Sequence, residues 1–67
     1  MKGQPYRGFN IELTDPIERG QFYGQVYKPG EEEARWQTPI SYQHSGVAIM
    51  KCVMAIHQFR QEGAWPN

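Results

Sequence analysis

Residues 40–65, ISYQHSGVAIMKCVMAIHQFRQEGAW, decide the fold. Ala48, Ile49, Cys52, Val53, Ile56 and Phe59 recur there at spacings of three and four, which lines one face of an α-helix with apolar side chains. No proline interrupts the stretch, and it is long enough for a helix of about five turns. Ser41 or Ser45 is the expected N-cap, because a serine hydroxyl accepts from the first free backbone amides. Gly63 is placed to end the helix in a left-handed conformation. Met50, Lys51, Met54 and Gln58 fall on the outer half. Methionines there would make a soft, adaptable contact surface, with at least one of the two expected to pack at a sheet margin.

Upstream the pattern changes. Prolines at 5, 16, 29 and 39 cut the chain into intervals too short for a long helix and suited to strands. Phe9, Ile11 and Leu13 alternate with Gly8, Asn10 and Glu12, the period of a half-buried strand. Thr14, Asp15 and Pro16 followed by Gly20 read as a turn. Over 21–28 the run Phe22-Tyr23-Gly24-Gln25-Val26-Tyr27 is aromatic and β-branched and reads as a second strand. Pro29-Gly30 is a turn signal. A third strand is expected over 34–38, with Ala34, Trp36 and Thr38 on one side and Arg35 and Gln37 on the other.

The order strand, strand, strand, helix predicts an α+β domain: a three-stranded antiparallel meander with one C-terminal helix packed across a face. That helix would cover Phe9, Ile11, Leu13, Phe22, Val26 and Trp36. The expected division is a flexible N-terminal segment over 1–5, one βββα domain over 6–63 and a C-terminal tail over 64–67. Trp65 in that tail is expected to fold back on the core or dock on a neighbouring subunit.

Composition narrows the function classes. Sixty-seven residues make one small domain, and seven basic residues balance seven acidic ones. Zero net charge removes the bulk attraction that nucleic-acid binding uses. One cysteine allows neither an internal disulfide nor a cysteine-rich zinc site. The apolar stretch 46–56 is broken by Lys51 and is shorter than the roughly 20 residues of a membrane span. The N-terminus lacks the apolar core of a signal peptide, so the expected setting is the cytoplasm. A chain this small, with no disulfide or metal, needs an efficient aromatic core or self-association, such as a homodimer.

Catalytic signals are missing. Cys52, His44 and His57 are the whole Cys/His set. Five helical residues separate Cys52 from His57, about 500° of rotation, so they point to different faces. HExxH, CxxC, GxSxG and phosphate-loop patterns are absent. No enzyme, cofactor or metal site is expected. Glu31, Glu32 and Glu33 read as a solvated run beside a turn.

The candidate binding residues are Arg7, Tyr23, Tyr27 and Arg35. With Asn10, Gln25 and Gln37 they are expected on the sheet face away from the helix. Tyrosines and arginines on an open sheet could meet a protein partner, where both residue types are enriched. They could alternatively stack single-stranded bases. Glu12 on the same face and the balanced charge favour protein. The expected function is a small, non-enzymatic, self-associating protein-interaction module; the alternative is a nucleic-acid-binding accessory protein.

Tyr6-Arg7-Gly8-Phe9 resembles the opening of plant ethylene-response-type DNA-binding domains, which also run three strands and then a helix. The resemblance covers four residues and implies a basic sheet entering the major groove. Residues 21–28 carry a single charge, so the chain is not assigned to that family.

Overall fold

A computed structural model describes residues 3–14 and 18–66. Asp15 and Pro16, expected to shape the first turn, lie outside the described residues. Four strands form one antiparallel sheet in sequence order: β1 (Gln4–Tyr6), β2 (Phe9–Leu13), β3 (Gly24–Tyr27) and β4 (Trp36–Gln37). The helix α1 (Ser45–Glu62) follows and packs across β2 and β3. The fold is therefore small α+β, with four strands rather than the three expected.

The additional strand is β1. Tyr6 pairs with Phe9 across the two-residue loop Arg7-Gly8. Both loop residues have positive φ, 48° and 86°, as the favoured tight hairpin turn requires. The four residues that resemble a DNA-binding opening are thus the corner of a hairpin. Pro5 sits in β1 opposite Asn10, at the sheet edge where a missing N–H is tolerated. The sheet so begins at Gln4, ahead of the boundary expected at Tyr6. At the other edge, β4 has only two residues.

Other turns follow the sequence signals. Glu31 N–H donates to Lys28 O at 3.0 Å, and Gly30 takes φ 84°. That is the positive φ a type II turn demands after its proline. Phe22 stands outside β3 and pairs instead with Tyr42, each N–H donating to the other's carbonyl at 2.8 Å. This lashes the β4–α1 connection to the end of the sheet.

Neither serine is the N-cap. His44, in extended conformation, holds that position without a side-chain cap bond, and Ser45 is the first helical residue. Ser41 Oγ instead donates to Gln21 Oε1 at 2.6 Å. Gly63 ends the helix as expected, with φ 74° and its N–H on Phe59 O.

Phe9, Ile11, Val26, Cys52 and Ile56 form the core, with Tyr6, Trp36, Ile49, Val53, Phe59 and Trp65 packed around it. The helix face turned to the sheet is small at Ala48, Cys52 and Ala55, all buried, so α1 lies close to the strands. Trp65 folds back: its ring stacks on Phe59 at 4.4 Å and meets Phe9 edge-on at 5.5 Å. Next to it Pro66 O accepts from Trp36 Nε1 at 2.7 Å. The C-terminal residues therefore close one end of the core.

Candidate functional site

Two surfaces compete for function: the sheet face away from α1, and the face of α1 away from the sheet. On the sheet, alternation turns Phe9, Ile11 and Val26 inward and Asn10, Glu12, Gln25 and Tyr27 outward. Register sets Asn10 opposite Tyr27, Glu12 opposite Gln25, and Gln25 opposite Gln37. These polar groups are tied to one another. Gln25 Nε2 donates to Gln37 Oε1 at 2.8 Å, and Tyr27 Oη–H donates to Gln25 Oε1 at 3.0 Å.

The four residues expected to bind are not gathered into one site. Tyr27 is within the outer face. Tyr23 precedes β3, and its backbone pairs with Thr14: Thr14 N–H donates to Tyr23 O, and Tyr23 N–H donates to Thr14 Oγ1. Arg7 is at the β1–β2 corner, its guanidinium 5.7 Å from the Tyr6 ring. Arg35 precedes β4 and grips Glu31 with two parallel bonds of 2.8 Å. That contact holds the Glu31 carboxyl below the usual carboxylate range. The arginines thus flank the outer face from separate turns.

The helix exposes more apolar surface. Val47, Met50 and Met54 are 41%, 59% and 57% exposed, and Ile40 before the helix is 59% exposed. Spacings of three and four place the helical trio in one line. Both methionines face solvent, where one was expected to pack at the sheet margin. Beside Met54 runs a groove of ≈ 260 Å³ whose walls include Trp36, Pro39, Tyr42, Ala55 and Pro66. Sequence reasoning reached the methionines but not this groove, because its far wall comes from β4 and the tail. Lys51 and Gln58 also line it.

Cys52 and the histidines do not assemble a catalytic group. Cys52 is fully buried in the core, and burial pushes its thiol up to about 11. His57 Nε2 lies 2.6 Å from Tyr6 Oη in an exposed hydrogen bond, and His44 caps the helix. Among the described residues, no group of three His, Cys, Asp or Glu side chains is arranged to hold a metal ion. Nor, among them, is any helix long and apolar enough to cross a membrane.

No family model, curated protein or solved structure matches the chain.

Proposed function

We propose that this chain is a small protein-interaction module without catalytic chemistry, and that it binds through the outer face of α1. The observation that carries the reading is the exposed line Val47, Met50 and Met54 beside the Trp36–Tyr42 groove. Apolar patches rimmed by polar groups mark binding surfaces, and methionine adapts its shape to a partner. The buried, weakly acidic thiol of Cys52 supports the absence of a cysteine nucleophile. A lone cysteine also fits a reducing, cytoplasmic setting.

Nucleic acid has less support. Arg35 is engaged by Glu31, Tyr27 is bonded to Gln25, and the Glu12 carboxylate would repel phosphate from the same face. The test is photo-crosslinking in cells, with the reactive residue placed at 50, 54, 27 or 37. Protein adducts from 50 and 54 and not from 27 and 37 would support the reading. Nucleic-acid adducts from 27, or silence from 50 and 54, would end it.

A further inference from the structure

We infer that Met50, Met54 and His57 form a site for a soft monovalent cation, Cu(I), on the outer line of α1. The inference stands apart from the protein-interaction reading, because it uses the sulfur and nitrogen lone pairs of that line and not its apolar surface.

Helical spacing brings the three donors together. At about 100° per residue, positions 50, 54 and 57 fall within an arc of about 60°. Met54 is the middle donor, one turn from each of the others, with about 5–6 Å between neighbouring Cβ atoms. All three residues are exposed, and each methionine keeps more than half of its surface in solvent. The unbranched methionine side chain has three rotatable bonds, so both sulfurs can swing toward one ion.

The donor set selects the metal. Thioethers are soft, neutral ligands that suit Cu(I), and imidazole suits copper as well. A hard cation such as Mg²⁺ or Ca²⁺ wants oxygen donors, and this trio offers none. Cys52 carries a softer donor still, yet it lies about 200° round the helix from Met50. It is fully buried there, and burial keeps its thiol protonated.

His57 is already oriented for the task. Its Nε2 lies 2.6 Å from Tyr6 Oη, and the two rings are tilted at 53° with centroids 5.7 Å apart. With Nε2–H donating to the hydroxyl, Nδ1 keeps its lone pair and points away from Tyr6. Metal-binding histidines carry just such a bond on the other ring nitrogen, which fixes tautomer and ring direction. Tyr6 is therefore the positioning residue, and the β1–β2 hairpin is what holds it beside α1.

The test titrates the whole chain with Ag(I), an air-stable soft cation of the same charge, in chloride-free buffer, and then with Cu(I) under anaerobic conditions. Isotope-labelled methionine methyls and the His57 ring are followed by NMR. One equivalent of either ion should shift Met50, Met54 and His57 together, with a Kd below about 10 μM. Met50→Leu, Met54→Leu and His57→Gln should each weaken binding about tenfold or more. Leucine preserves the helix and its apolar face, so the loss would report the sulfur alone. Shifts confined to Met1 or Cys52, displacement of Ag(I) by equimolar Zn(II), or equal affinity in the leucine variants would overturn the inference. None of those results would touch the protein-interaction reading, which the crosslinks from positions 50 and 54 decide separately.

Discussion

Gly24 lies so close beneath Cys52 that a Cβ added to it would come within 2.6 Å of the Cys52 Sγ. The same Cβ would stand 2.8 Å from the Ala48 carbonyl oxygen, which is backbone and cannot turn aside. Glycine is required here by helix-to-sheet distance, since its φ is ordinary. Gly24→Ala should lift α1 off β3 and cost about 1–3 kcal/mol in urea unfolding. A cost under about 0.5 kcal/mol would mean that the helix sits farther from the strand.

Thr38 is a buried polar residue at the end of β4. Its hydroxyl accepts from Gly24 N–H at 3.1 Å and donates to Ile40 O at 2.8 Å. Thr38→Val preserves the shape and strands both partners, so stability should fall by about 1–3 kcal/mol. Thr38→Ser keeps the hydroxyl and should recover part of that loss. Equal stability of the Val and Ser variants would contradict the assignment.

Phe59 packs in a three-ring cluster, meeting Phe9 edge-on at 5.9 Å and stacking on Trp65, which itself touches Phe9. Phe59→Ala should cost about 3 kcal/mol, the low end for such a truncation, because the ring is only partly buried. The Trp65 fluorescence should move toward that of solvated indole at the same time. An unchanged emission maximum would show that Trp65 holds its place without the stack.

Cys52 predicts a loss of stability at alkaline pH. Its thiol is raised from 9.0 to about 11 by burial, so folding favours the protonated form. The resulting stabilisation is fully present below pH 9 and is lost as pH rises from 9 through about 11. Cys52→Ala should start from lower stability but fall less steeply across that window. Native-state labelling by thiol reagents should be slow, because the attacking species is the thiolate. Rapid labelling, or parallel pH curves for the two proteins, would contradict the burial argument.

Glu31 shows the opposite sign. Its hydrogen bonds to Arg35 lower its carboxyl, so whatever the pair contributes is present above the ordinary carboxylate range and is lost as pH falls through the depressed value. Both groups are well exposed, and exposed pairs contribute little. Arg35→Ala should return the Glu31 carbon shift titration to an ordinary carboxylate midpoint while leaving the melting temperature nearly unchanged. A large drop in melting temperature would make the pair structural.

The elements that repeat a period were legible in the chain, and those settled by single contacts were not. Phe9, Ile11 and Leu13 announce β2 by alternation, and the Ala48-to-Phe59 stripe announces α1. Pro29-Gly30 and Gly63 mark their turns because each supplies a backbone geometry few residues adopt. β1 was missed because three residues around Pro5 are too short to show a period. The helix start near Ser45 was legible, but not its cap, which falls one residue earlier at His44. The outward placement of Tyr27, Gln25 and Gln37 could be read by parity. That Glu31 would hold Arg35, and that Trp36, Tyr42 and Pro66 would wall a groove against Met54, depends on long-range packing that no local pattern encodes.

The two margins of the sheet have a consequence for behaviour in concentrated solution. An open strand normally offers its free amides and carbonyls to any neighbouring chain, and that contact can repeat without limit into fibrils. Here one margin is three residues long with Pro5 in its middle, and the other is the two-residue β4. Neither gives an incoming strand enough continuous backbone to template on. Chain-to-chain polymerisation through the sheet is thereby blunted at both ends.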